Sequence, residues 1–72
     1  MKPLTKYVII RNGKTIVHKI LIIEFSGITT YSLKTGEYKN TDIYRNITEY
    51  EYNRILNEAN KNGYFIYEKR AT

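Results

Sequence analysis

Four consecutive large aliphatic residues, 20–23, lie inside a β-branched stretch that covers residues 15–25. Successive side chains of a strand point to opposite faces of its sheet, so an unbroken aliphatic strand needs apolar cover on both faces. A domain of about 70 residues buries only about 60% of the surface that its unfolded chain exposes. The run therefore predicts a sheet with one face that needs a second copy or another partner.

The composition narrows the ways in which so small a domain can be stabilised. The chain has 72 residues, no cysteine and one histidine, His18. Small domains usually rely on disulfides, metals or oligomerisation, and the first two need residues that this chain lacks. Neither a signal peptide nor an apolar run of about 20 residues is present, so we expect a cytoplasmic protein without a membrane segment.

Turn signals divide the first half of the chain into antiparallel strands. Asn12-Gly13 stands between two β-branched stretches and predicts a type I′ hairpin. Ser26-Gly27 marks a second turn, and the order of the segments predicts a meander. The segment 38–44 has polar residues in its middle and fits a strand or an irregular loop equally well; we assign it as a weak edge strand. The strands predicted for the meander cover residues 5–11, 15–25 and 28–33.

A capped helix is predicted over about residues 49–62. Thr48 and Glu51 form a capping box, in which each side chain satisfies a backbone N–H of the first turn. Apolar residues follow at the spacing of one helical face, and Gly63 stands where a helix cap belongs. The apolar stripe consists of Tyr52, Ile55, Leu56 and Ala59.

A short final strand, 64–68, and a frayed tail, 69–72, are predicted after the helix. The whole chain, 1–72, is thus expected to form a single α+β domain. Its antiparallel sheet has three to five strands, and one helix lies near the C-terminus.

Both faces of the predicted sheet are apolar, and one helix covers only one of them. Leaving about four aliphatic side chains exposed forgoes roughly 1.5–3 kcal/mol each, a large sum beside a total stability of ~5 kcal/mol. We therefore predict a homodimer that packs sheet against sheet, with a small closed barrel as the alternative. The residues predicted for the dimer interface are Ile16, Ile20, Ile22, Val8 and Ile10.

Positive charge is concentrated in the first third of the chain. Residues 1–23 hold five basic residues and no acid, whereas residues 24–72 hold seven of each. Such a stripe can neutralise phosphates, which makes nucleic-acid binding an alternative function; a solvated hairpin with protected edges explains the same charges. The candidate contacts to nucleic acid or another partner are Lys6, Arg11, Lys14, Lys19, Tyr50 and Arg54.

No arrangement of residues predicts catalysis, a cofactor or a metal. His18 stands alone in a strand, and the four glycines mark turns or a cap rather than a phosphate-binding loop. Tyrosine is abundant, with eight residues, and suits protein interfaces because one end is apolar and the other forms hydrogen bonds. The sequence therefore predicts a non-catalytic interaction module that binds a second copy of itself or a protein of a host cell.

A resemblance accompanies this element order. With its hairpins first, its capped helix later and its bias towards Ile, Lys, Tyr and Asn, the chain resembles small proteins of low-GC Gram-positive prophages, in particular the YopT-like family. The resemblance implies a homodimer whose subunits have one helix and about three strands, without an assigned activity. It carries over no functional residue.

Overall fold

The computed structural model describes residues 2–35 and 44–71 as one five-stranded sheet and one helix. The sheet has the order β4-β3-β2-β1-β5, and all neighbouring strands are antiparallel. The predicted α+β fold is confirmed in this form. No helix within these two ranges is long and apolar enough to cross a bilayer. The elements are β1 (Leu4–Asn12), β2 (Thr15–Phe25), β3 (Ile28–Thr35), β4 (Arg45–Ile47), α1 (Glu49–Lys61) and β5 (Phe65–Arg70).

The first hairpin forms where the sequence predicts it, with a different turn. Asn12 pairs with Thr15, so the loop consists of Gly13 and Lys14. Gly13 has a φ of 62°, and Lys14 is not among the residues with a positive φ. A type I′ turn requires positive φ at both loop positions, so that prediction is wrong; a glycine with positive φ at the first position is what a type II′ turn requires.

The second hairpin has the turn that was expected of the first. Ser26 and Gly27 have φ values of 52° and 77°, and two positive φ values in a two-residue loop are typical of type I′. β3 extends two residues beyond the predicted end. Of the predicted segment 38–44, only Tyr44 is among the described residues. β4 follows this segment.

The helix begins at Glu49, as the Thr48 cap predicts, and ends at Lys61, one residue before the predicted end. The Thr48 hydroxyl accepts a hydrogen bond from the Glu51 N–H at 3.1 Å. The Glu51 carboxylate lies 3.5 Å from the Arg45 guanidinium, which links the first turn of α1 to β4. At the other end, the N–H of Gly63 donates to the Asn60 carbonyl at 3.1 Å. These contacts fix both ends of the helix, as caps do in general.

The helix packs on one face of the sheet, which we call the covered face. The residues of α1 that contact it are those of the predicted apolar stripe. Four of the five residues predicted for a dimer interface lie in this core, so the helix of the same chain covers them. The buried core consists of Val8, Ile10, Ile20, Ile22, Leu33, Ile47 and Ala59.

The opposite side of the sheet, which we call the open face, has no other element of the described residues packed over it. Ile16, the fifth residue predicted for the interface, belongs to this side. A register shift between Ile10 and Arg11 pairs Ile16 with Arg11. Residues directly opposite in a ladder point to the same face, and Arg11 is an open-face residue.

β5 pairs with β1 and forms one edge of the sheet. It begins one residue later than predicted and continues to Arg70. Lys69 and Arg70, which the sequence assigned to a tail, pair with Tyr7 and Lys6. The sheet therefore includes residues that were predicted to be frayed, up to Arg70.

Candidate nucleic-acid interface on the open face

Strand alternation decides which side chains lie on the open face. Residues that pair across antiparallel strands share a face, so the register assigns all five strands at once. The long strands contribute alternating apolar, aromatic and basic residues to this side. The open-face residues of β1, β2, β3 and β5 include Tyr7, Ile9, Arg11, Val17, Lys19, Leu21, Ile23, Phe25, Ile28, Ser32, Lys34, Phe65, Tyr67 and Lys69.

Among the residues that the structure describes, the charged side chains on this face are all basic. The face contains Arg11, Lys19 and Lys69, and Lys14 lies in the turn beside it. Lys34 is opposite Lys19 in the β2–β3 ladder and therefore belongs to the same face. Arg11, Lys14, Lys19 and Lys69 form no ion pair with an acid that the structure describes. The acids within the described ranges belong to the covered face or the helix, and they are Glu24, Glu49, Glu51, Glu58 and Glu68.

On the covered side and the helix, some basic residues form ion pairs with acids. Lys6, a predicted contact, lies 3.4 Å from Glu68. Arg54, another predicted contact, lies 3.6 Å from Glu58 on the helix. Tyr50 is 75% exposed on the same helix. Of the six predicted contacts, the structure therefore brings Arg11, Lys14 and Lys19 to the open face and leaves the other three on the opposite side of the sheet.

Two aromatic residues of β5 lie next to the first turn. Phe65 pairs with Arg11 in the ladder, is 66% exposed, and has its ring centroid 5.6 Å from that of Tyr67. A shallow depression is lined by these three residues together with Gly13 and Lys14. We call this region the basic end of the open face.

The Arg11 guanidinium is held at the basic end by long contacts. Its Nη1 donates to the Tyr67 hydroxyl at 3.4 Å, and its Nη2 donates to the Lys14 carbonyl at 3.3 Å. Its Nε is buried and has no hydrogen-bond acceptor in the structure. An unsatisfied donor of a charged group is unfavourable, so the protein atoms alone do not complete the surroundings of this side chain.

The centre of the open face is shielded by its own side chains. The Lys19 Nζ lies 4.6 Å from the ring centroid of Tyr7, a distance at which the cation attracts the ring. Ile9, between Lys19 and Tyr67 in the ladder, is only 7% exposed. The centre is therefore apolar beneath a cationic surface.

The far end of the open face, next to the second turn, is apolar. Phe25 and Ile28 pair with each other and are 48% and 67% exposed. Ile23 precedes them on β2 and is half-buried. We call these three residues the apolar end; none of them is charged.

His18 lies on the covered face, away from the open face. It borders a depression between sheet and helix that is also lined by Ile55 and Glu58. Burial lowers the pKa of His18 from its usual value of 6.5, and the Glu58 carboxylate opposes part of that change. The described residues contain no group of three or more side chains placed to hold a metal ion.

Sequence reasoning missed Phe65, Tyr67 and Lys69 as members of the site. Their alternation was visible, but nothing local to β5 shows that this strand pairs with β1. Comparison of the chain with known protein families, with curated proteins and with solved structures gives no match. Function is therefore inferred from the geometry of the open face.

Proposed function

We propose that the open face binds nucleic acid. The observation that supports this proposal is the separation of charge between the two sides of the sheet. Arg11, Lys14, Lys19 and Lys69 belong to the open side, and the acids of the described residues belong to the other. A surface with one sign of charge attracts a polyanion, and its phosphates release counterions when basic residues neutralise them.

A second copy of the chain is a poor occupant of the basic end. A two-fold interface brings the same patch of both subunits together, so the cations of one copy would face those of the other. Like charges across an interface are unfavourable, whereas a phosphate backbone supplies the opposite charge. This contrast favours nucleic acid over self-association at the basic end.

The proposal is tested by binding of a fluorescent single-stranded oligonucleotide, followed by anisotropy. Four phosphate contacts give a slope of log affinity against log salt of about −2.8, so affinity is expected to fall roughly 50-fold between ~50 and ~200 mM KCl. Binding that is absent at the lower salt concentration, or that does not change with salt, would contradict the proposal.

A pair of double variants locates the surface. Lys14→Gln with Lys69→Gln removes two open-face charges whose side chains make no hydrogen bond or ion pair within the described residues. Affinity at ~0.1 M salt is expected to fall roughly 25-fold, because two phosphate contacts are lost. The control, Arg54→Gln with Lys61→Gln, removes the same charge from the helix. Equal losses in both would indicate net charge alone rather than the open face.

We propose self-association through the apolar end as a second function, because Phe25 and Ile28 are exposed there without a charge between them. Two copies can meet at this end and bury both side chains without bringing their cations together. Sedimentation equilibrium at tens of micromolar is expected to show a dimer that becomes monomeric in Phe25→Ser with Ile28→Ser. A monomeric parent protein would contradict this second proposal.

A further inference from the structure

The basic end has exposed aromatic side chains as well as positive charge. Aromatic side chains interact differently with single-stranded and double-stranded nucleic acid. A duplex presents phosphates and groove edges, while the faces of its bases are stacked inside. Binding a duplex would therefore leave the exposed rings of the basic end uncovered. An unpaired base supplies a π face that stacks on an aromatic side chain and hides it from water.

Phe65 is the ring best placed to stack on a base. The ring of Tyr7 is already covered by the Lys19 ammonium, whose Nζ lies 4.6 Å from its centroid. Tyr67 is half-buried, and its hydroxyl accepts a hydrogen bond from Arg11. Phe65 is 66% exposed and contacts Tyr67 with its ring tilted by 42°.

Cations stand beside this ring. Arg11 is directly opposite Phe65 in the β1–β5 ladder, and Lys14 lines the same depression. A base on Phe65 therefore places its sugar–phosphate backbone next to two positive side chains. The long contacts of the Arg11 guanidinium, at 3.3 and 3.4 Å, are ones that a phosphate oxygen can replace with shorter charge-assisted bonds.

We propose that Phe65 is the stacking platform for one unpaired base of a single strand, and that Arg11 and Lys14 hold the phosphates next to it. This inference rests on the proposed function and specifies its ligand. It gives the basic end a preference for single-stranded over double-stranded nucleic acid that charge alone does not provide.

Tyr50 provides a matched control for Phe65, because it is an exposed aromatic residue on the helix, on the opposite side of the sheet from the open face. Phe65→Ala is expected to weaken binding of a single-stranded oligonucleotide of ~15 nucleotides by roughly 5- to 150-fold, the loss of one base–aromatic stack. Tyr50→Ala is expected to leave affinity unchanged. Phe65→Tyr, which retains a ring, is expected to bind like the parent protein.

Two further probes separate stacking from charge. Long-chain inorganic polyphosphate has phosphates without bases, so Phe65→Ala is expected to bind it as tightly as the parent protein does, and circular dichroism checks that the variant is folded. A duplex of the same sequence is expected to bind the parent protein more weakly than the single strand does.

Equal affinity of the parent protein for duplex and single strand, or an unchanged affinity of Phe65→Ala for the single strand, would overturn the stacking inference and leave salt-dependent nucleic-acid binding intact. An equal loss of affinity for polyphosphate and for the oligonucleotide in Phe65→Ala would also overturn it. Failure of the parent protein to bind any of the three probes at low salt would remove the proposed function itself, and the stacking inference with it.

Discussion

The covered face and the open face of the sheet both carry aliphatic side chains, but they place their charges differently. On the covered face the aliphatic residues form a buried centre, and Lys6 is paired with Glu68 at the margin. On the open face, Arg11 and Lys19 alternate with apolar residues along the middle strands. The same strands thus form a buried core on one side of the sheet and a charged surface on the other.

This difference shows how a small domain can use an apolar strand without burying both of its faces. Ile9 is buried on the open face although no helix of the described residues lies above it, and its ladder neighbours there are Lys19 and Tyr67, both with long side chains. The aliphatic stem of a lysine covers apolar surface while its charged group stays in water. Self-cover of this kind reduces the need for a partner at the centre of the face and leaves that need at the apolar end.

The contrast between the faces is broken most strongly by truncating neighbouring residues of β2. Ile20 is fully buried and Leu21 is half-buried on the other side. Ile20→Ala is expected to lower the free energy of unfolding by about 2–5 kcal/mol because it leaves a cavity. Leu21→Ala is expected to cost about 1 kcal/mol. Urea unfolding followed by circular dichroism measures both; an equal cost would mean that the open face is covered in solution.

Loss of the helix cap removes a contact that lies on the covered side of the sheet. Thr48→Ala removes the acceptor for the Glu51 N–H and is expected to lower stability by about 1 kcal/mol. Thr48→Ser retains the hydroxyl and serves as the control. Oligonucleotide affinity well below the unfolding temperature is expected to be the same in both variants, and a change in affinity would show that the helix contributes to binding.

The pH dependence of stability is expected to come in part from His18 on the covered face, with a smaller effect than the substitutions above. Because burial lowers the pKa of His18, the unfolded chain takes up a proton near pH 6.5 more readily than the folded chain does. Stability from this group is complete above pH 6.5 and is lost as the pH falls below it. His18→Gln is expected to flatten the change in unfolding temperature between pH 7.5 and 5.5, and an identical slope in both proteins would contradict this role.

The smallest effect is expected from the ion pair at the margin of the covered face. Glu68→Gln breaks the contact with Lys6. The side chain of Lys6 is 41% exposed and that of Glu68 is 60% exposed. Exposed pairs contribute about 0–1 kcal/mol, so thermal unfolding should change little. A loss of more than about 2 kcal/mol would show that β5 depends on this pair rather than on its ladder with β1.

The strands of the meander and the helix were predictable because their signals are local. Asn12, Ser26 and the Thr48 cap each act within a few residues, and the elements that they bound are found. The turn type of the first hairpin was missed, because the loop is displaced by one residue from Asn12-Gly13.

Which face the helix covers was not predictable from hydrophobicity, because β2 is apolar on both sides. The sequence placed Ile20 and Ile22 in the dimer interface, whereas the structure places them under the helix. Lys19 was the available signal, because a lysine that alternates with Leu21 and Ile23 marks the side that faces water. The position of β5 depends on pairing with the distant β1, and short-range patterns contain no information about it.

The contact between Arg11 and Tyr67 joins residues 56 positions apart in the chain. Contacts of this separation carry a larger cost in loop-closure entropy than local ones do. The meander has local contacts and can form earlier, but it holds no complete basic end until β5 has docked. A chain in which β5 has not paired with β1 would have Arg11 and Lys14 without Phe65 beside them, so the proposed stacking surface requires the complete sheet.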